Sequence, residues 1–164
     1  GDTNEAVYYS CNITYDDCCM PDGSNFNVTM TSTYFYAYNF ESGSSSALSY
    51  DTARDQAQGT GFQNITLPVK TDNDASSSGE MFIFAPSSTT FVKHFISRSS
   101  SYGEDSYAGD TYVSGYFNTT SAITGIQFKA ESGNLDSGTI KLYGIKTSFN
   151  AAPKTEGSSG GLPV

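Results

Sequence analysis

The chain has 164 residues and a mass of 17.5 kDa, with 37% hydrophobic and 15% charged residues. It contains 12 Tyr and 11 Phe but only five Leu and no Trp. This composition favours β-structure over helical bundles and excludes a coiled coil. Its apolar runs are all shorter than the ~18 residues of a membrane span. The formal net charge of −9 repels phosphates, so we expect no nucleic-acid partner, and no membrane partner either.

Alternation of apolar and polar side chains begins near residue 25 and recurs towards residue 146. In the stretch 33–40, for example, Tyr34, Tyr36 and Tyr38 share one face. In chain order the pattern predicts strands over 25–31, 33–40, 62–69, 80–84, 89–97, 111–118, 122–129 and 139–146. The continuous apolar run at 80–84 predicts a strand covered on both faces. The break in alternation at Tyr143-Gly144 predicts a bulge in the strand at 139–146.

Polar stretches rich in Ser and Gly separate these strands and predict loops. They lie at 41–61, with a turn of helix over 51–56, and at 72–79, 99–110 and 130–138. Seven or eight short strands, with turns roughly every 8–12 residues and no clear helix, predict an all-β sandwich or barrel.

The composition also divides the chain into three parts. We assign the β-sandwich domain to 25–149. The mixed, polar segment 1–24 would suit an anchoring arm, and the Gly/Ser/Pro-rich stretch 150–164 predicts a flexible tail. Residues 1–15 lack the basic start and apolar core of a secretory signal, so we expect none.

Three cysteines, Cys11, Cys18 and Cys19, lie close together near the N-terminus. Their number is odd and two of them are adjacent, which is poor geometry for an ordinary disulfide. No histidine accompanies them, and structural zinc normally takes four nitrogen or sulfur ligands. We therefore expect reduced thiols and no metal site.

Few side chains could carry catalysis. The only histidine, His94, alternates onto the Val92/Ile96 face of a predicted strand, which favours a structural role. The sequence has no nucleotide-binding, metalloprotease or serine-hydrolase motif, so we expect neither enzyme activity nor a cofactor. The acidic groups could hold Ca²⁺ or simply keep the surface soluble, and none matches an EF-hand.

Six residues in the predicted loops are candidates for contact with a partner protein or a glycan. Loop tyrosines can stack on sugars or dock onto proteins, although tyrosine in β-rich domains more often packs across strands. The candidates are Tyr102, Tyr107, Asp72, Asp74, Asp105 and Asp110.

Three segments, in order along the chain, resemble segments of virion structural proteins of tailed bacteriophages, above all those of marine cyanophages and their relatives. They are SGEMFIFAPSSTTFVKHF at 78–95, GYFNTTSAI at 115–123 and SGNLDSGTIKLYGI at 132–145. DQAQGTGF at 55–62 is a fourth, weaker match. The resemblance implies a jelly-roll-like antiparallel β-sandwich on the virion surface, assembled in the host cytoplasm. It implies no catalytic residues.

Three functions are consistent with these observations. The first is a capsid decoration (cement) protein that binds the major capsid protein in many copies, as a homo-oligomer such as a trimer. The second is a receptor-binding or accessory domain of a tail or head fibre that recognises a host surface glycan. The third is a secreted module that binds or cleaves carbohydrate. The absence of a shaft or repeat in the sequence favours decoration, whereas the long predicted loops slightly favour the fibre.

Overall fold

The computed structural model of the chain describes residues 3–6, 9–10, 19–20, 28–130 and 137–146. Within these residues it has twelve strands and no helix, and hence no helix that could cross a bilayer. The strands are β1 (Thr3–Ala6), β2 (Tyr9–Ser10), β3 (Cys19–Met20), β4 (Met30–Phe40), β5 (Ser46–Tyr50), β6 (Ala57–Gly59), β7 (Gln63–Asn64), β8 (Ser77–Ile83), β9 (Lys93–Gly103), β10 (Tyr107–Phe117), β11 (Thr139–Ile140) and β12 (Tyr143–Lys146).

A central antiparallel sheet organises the domain. Its strand order is β5-β4-β10-β9-β8, and β6 pairs with the start of β4. β4, β9 and β10 have eleven residues each, and β10 pairs with both neighbours along its whole length without a register shift. The all-β class predicted from the sequence is confirmed, whereas the jelly-roll arrangement stays a prediction.

The described residues contain more strands than the seven or eight predicted, because seven of the twelve have only two to four residues. The first three strands each pair with a later one: β1 with β12, β2 with β11 and β3 with β7. These pairings hold parts of the 1–24 segment against the domain. The predicted tail at 150–164, Cys11 and Cys18 lie outside the described residues.

One face of the central sheet, the inner face, is buried, and the opposite outer face is largely exposed. In β9, Phe95, Ser97, Ser99 and Ser101 are buried while the side chains between them are exposed. A period of two is expected for a strand covered on one side only. The inner face carries the hydrophobic core, formed by Met30, Tyr34, Ile65, Met81, Ile83, Phe95, Val113 and Phe117.

Buried hydroxyl groups join the segment 63–69 to the inner face. The Ser99 hydroxyl donates to the carbonyl oxygen of Ile65 at 2.7 Å, and the Tyr34 hydroxyl donates to that of Thr66 at 2.9 Å. Burial raises the pKa of Tyr34, so its phenol stays a donor at neutral pH. Because these two hydroxyls find partners, serine and tyrosine can occupy core positions here.

Lys93 is completely buried at the start of β9. Its ammonium donates to the carbonyl oxygens of Phe91 at 3.0 Å and Thr119 at 3.3 Å. Burial lowers the pKa of Lys93, because the charged form loses its hydration. The ammonium thus links the chain just before β9 to the chain just after β10.

Two predicted loops are wrong, because strands run through them. The stretch 99–110 holds the end of β9 and the start of β10, joined by a tight turn at 104–106. The stretch 41–61 holds β5 and β6, and its 51–56 part forms a non-helical turn. Serine and glycine have low strand propensity, but pairing with long neighbouring strands overrides it.

Other predicted strands change in extent. The stretches 25–31 and 33–40 give one strand, β4, that begins at Met30. β8 is covered on its inner face only, since Phe84 just after it is 43% exposed, so the predicted two-sided burial is wrong. Phe82, on its outer face, is only half-buried.

The predicted strands 62–69 and 122–129 are mostly irregular, yet they help to cover the core. Ile65, Leu67 and Val69 are buried, as the alternation predicted, and Ile123, Ile126 and Phe128 pack against the core cluster. The last predicted strand divides into β11 and β12 at 141–142, and β12 pairs regularly with β1. The bulge predicted at Tyr143-Gly144 is therefore wrong.

We expect Phe95→Ala to lower the free energy of unfolding by about 3–5 kcal/mol, because it opens a cavity beside Phe117, whose ring lies 5.0 Å away. Phe91→Ala is the matched control. Phe91 is 70% exposed, so its loss should change stability by about 0.5 kcal/mol or less. Denaturant unfolding followed by tyrosine fluorescence measures both variants. Equal destabilisation by the two would contradict the assignment of the inner face as the core.

Candidate functional site

A row of large side chains crosses the outer face of all five main strands. Pairing aligns Tyr50 of β5 with Phe35 of β4, and Phe35 with Tyr112 of β10. The same line continues from Tyr112 to Arg98 of β9 and on to Glu80 of β8. Directly paired residues point to the same face of a sheet. We call these five residues the outer row.

Ring contacts make the outer row rigid. The rings of Phe35 and Tyr112 stack with centroids 5.0 Å apart and planes 4° from parallel. The Arg98 guanidinium lies 4.9 Å above the Tyr112 ring, a cation–π contact. At the far end, the Tyr50 hydroxyl donates to the carboxylate of Asp55 at 2.6 Å. The row is thus organised before any partner binds.

An ion pair lies beside the centre of the row. Arg98 Nε and Nη2 donate to the two carboxylate oxygens of Asp110 at 3.0 and 2.8 Å. The Tyr112 hydroxyl donates to the same carboxylate at 3.1 Å. The hydrogen bonds from Arg98 lower the pKa of Asp110, and Asp110 in turn raises the pKa of Arg98. The two charges largely neutralise each other.

Exposed apolar side chains surround this pair on the outer face. Leu48 is 73% exposed, and Ile96, on the other side of the row, is 46% exposed. Beside the row, a shallow depression forms where the side chains are small: Ala37, Asn39, Ser78, Ser100 and Ala108. The outer face therefore offers apolar projections and a depression, with its central charges already paired.

Two of the predicted contact residues lie on this face and a third lies at its edge. Asp110 belongs to the ion pair just described, and Tyr102 lies at the end of β9. The Lys70 ammonium lies 5.3 Å from the centre of the Tyr102 ring and 2.7 Å from a carboxylate oxygen of Asp72. Neither tyrosine predicted to lie in a loop does so, since Tyr102 belongs to β9 and Tyr107 to β10.

The other predicted contact residues lie elsewhere. Tyr107 is on the inner face, and Asp105 is exposed in the turn that precedes it. Asp74 is exposed in the loop before β8. The six predicted residues therefore do not form one site.

His94 and the acidic residues are the remaining candidates from the sequence for a chemical or metal-binding role. His94 is exposed on the outer face with Ile96, as the alternation predicted, and its ring lies 6.1 Å from that of Tyr116. No three His, Cys, Asp or Glu side chains among the described residues come together as metal ligands.

Sequence reasoning missed the residues that dominate the outer face. Phe35 alternates with Tyr34 and Tyr36 and so lies on the opposite face, but its pairing with Tyr112 depends on a register that one sequence does not reveal. Leu48 and Tyr50 fell in a predicted loop. The alternating pattern Ser-Ala-Leu-Ser-Tyr at 46–50 is the signal that could have identified their strand.

A scan against protein-family models, a search of curated proteins and a search of solved structures each found no match to this chain.

We expect Asp110→Asn to lower the free energy of unfolding by about 0.5 kcal/mol at pH 7, a modest value because Arg98 is largely exposed. The pKa of Asp110 is lowered in the folded state, so its charge stabilises the fold above the ordinary Asp pKa of about 3.9. That contribution is lost as the pH falls through the lowered pKa. Denaturant unfolding at several pH values should therefore show the two proteins converging in acid.

The control for this prediction is Asp74→Asn, because Asp74 is exposed and has no ion pair with a described residue. This variant should have the same free energy of unfolding as the parent protein at every pH measured. A constant difference between Asp110→Asn and the parent protein down to pH about 2 would contradict the role of the charge.

Proposed function

We propose that the chain is a non-enzymatic phage virion protein, a decoration protein that attaches to the outside of the capsid through the outer face of its sheet. The observation that carries the proposal is the cluster of exposed apolar side chains on that face: Phe35, Leu48, Tyr50, Phe84 and Ile96. Single exposed apolar residues are ordinary, but a cluster on one face is typical of a protein-docking surface.

The chemistry of the outer row also suits a protein partner. Aromatic residues and arginine are enriched at the energetic centres of interfaces, and unpaired charges are depleted there. Phe35, Tyr112 and Arg98 are held by one another, so little side-chain entropy is lost on binding. The pairing of Arg98 with Asp110 avoids burying a lone charge.

The resemblance to phage virion proteins supplies the identity of the proposed partner. Among the segments that carry the resemblance, 78–95 contains most of β8 and the start of β9, and 115–123 begins in β10. The resemblance therefore covers parts of the sheet that carries the outer face. The major capsid protein is the abundant surface on which a decoration protein would dock.

The first test is the copy number of this chain in purified virions, measured by quantitative mass spectrometry against the major capsid protein. We expect a number comparable with that of the capsid protein, because a decoration protein occupies repeated sites on the shell. A few copies per particle would replace decoration by a fibre or tail role. Absence from the particle would contradict any virion function.

The second test replaces outer-face residues by glutamate in the double variant Leu48→Glu/Ile96→Glu. Both side chains are exposed, so the fold should persist, while a buried unpaired charge should weaken attachment to particles lacking the protein by at least about tenfold. Phe91→Glu, at an exposed position outside the strands of the sheet, is the control. Co-sedimentation with particles measures attachment, and a native mass spectrum reports the oligomer.

Two results of this second test would contradict the proposal. One is that the double variant and the Phe91→Glu control attach equally well. The other is that the double variant attaches normally but loses an oligomer that the parent protein forms, which would make the outer face a contact between copies.

A further inference from the structure

A second surface lies on the inner side of the sheet, at the end where β4 finishes. Tyr36, Tyr38 and Phe40 continue the inner-face row begun by the buried Tyr34, but they are only half-buried. Tyr107 pairs with Phe40 across the strands, with ring centroids 5.5 Å apart. These rings line a groove with a volume of about 250 Å³, which we call the tyrosine groove.

The rings of the tyrosine groove are held in place by one another and by the sheet. Tyr38 lies 6.2 Å from Tyr36 and 6.0 Å from Tyr107, measured between ring centroids. Beneath Tyr107 the backbone is that of Gly103, where a Cβ atom would overlap the Tyr107 ring. Only glycine at this position lets the ring lie flat against the strand. The aromatic wall is therefore formed before a ligand arrives.

Charged side chains form the rim of the groove. The Asp51 carboxylate accepts a hydrogen bond from the Ala53 backbone at 2.9 Å and pairs with Arg54 Nε at 3.3 Å. The buried Gln63 donates to the carbonyl oxygen of Arg54 at 2.9 Å, which fixes this turn from the core. Glu104 completes the rim from the turn between β9 and β10. The rim thus offers acceptors and a donor at defined positions.

The chemistry of the groove matches a sugar ring. The C–H face of a pyranose packs on aromatic rings, while its hydroxyls donate to carboxylates and accept from a guanidinium. Burial raises the pKa of Tyr107 to about 12, so its phenol remains protonated and can donate as well. The rim carries two carboxylates and one guanidinium, which pairs with Asp51, so it disfavours an anionic sugar or a phosphate. A cation is the competing ligand, and the choline titration below tests it. The small volume suits one ring.

We propose that the tyrosine groove binds a neutral pyranose unit of a glycan. The groove and the outer face lie on opposite sides of the sheet, because Tyr36 and Tyr38 alternate with Phe35 along β4. The proposed sugar site therefore does not depend on attachment to a capsid, and an experiment can contradict one of these two proposals without contradicting the other.

The test is a titration of the full chain with the methyl glycosides of glucose, galactose, mannose and N-acetylglucosamine, followed by NMR of the tyrosine ring signals. We expect at least one glycoside to bind with a Kd of about 1 mM and to shift the ring signals of Tyr36, Tyr38 and Tyr107. No shift with any of them at about 20 mM would overturn the proposal. Binding of choline in place of every sugar would also overturn it, by showing a cation cage.

Two variants locate the binding. Tyr38→Ala removes a wall of the groove. Glu104→Gln removes the charge and replaces one acceptor oxygen by an N–H donor, in an exposed turn where the fold should be unaffected. Each should weaken glycoside binding by about tenfold. Asp74→Asn, outside the groove, is the control and should bind as the parent does. Unchanged affinity in the folded Glu104→Gln variant and in Tyr38→Ala would place the sugar elsewhere and overturn the proposal.

Discussion

The pairing of β10 with β4 on one side and β9 on the other determines most of the surface of this protein. Eleven residues pair on each side without a shift, so each side chain on three strands is assigned to the inner or the outer face. A slip of one residue would exchange the two faces. It would bring Arg98 and Asp110 to the core and Phe95 and Val113 to solvent. The large free-energy difference between these registers explains why one alignment is specified.

The sequence predicted the fold class because aromatic and β-branched residues alternate clearly in β4 and in the second half of β10. The prediction of individual strands failed where the residues that face the core are serines. Ser99 and Ser101 carry almost no hydrophobic signal, yet both are buried on the inner face. The buried Ser99 hydroxyl depends on a partner distant in sequence, the Ile65 carbonyl oxygen to which it donates. A rule based on local composition therefore predicts a loop for the second half of β9, although it predicts a strand for the first half.

The candidate sites were harder to predict, because each combines residues from several strands. Tyr107 and Asp110 were expected in one loop, but three positions of a strand separate them, so they point to opposite faces. Each consequently belongs to a different surface, Asp110 beside the outer row and Tyr107 in the tyrosine groove. Phe35 and Tyr112 are far apart in sequence and meet only through the register of β4 with β10. Alternation can assign each of these residues to one face of its own strand, but only the strand pairing shows that their rings stack.

The two surfaces differ in the kind of partner that their chemistry favours. The outer face is broad, and its exposed apolar side chains surround the Arg98–Asp110 ion pair, so a partner can cover that pair without stranding either charge. The tyrosine groove is small and concave, and its carboxylates lie at the rim, where hydroxyl groups can reach them. A partner that covers the outer row leaves the groove open, because the sheet itself separates them. Attachment through one face would therefore present the other to the surroundings, and many copies on one particle would compensate for a weak affinity at each groove.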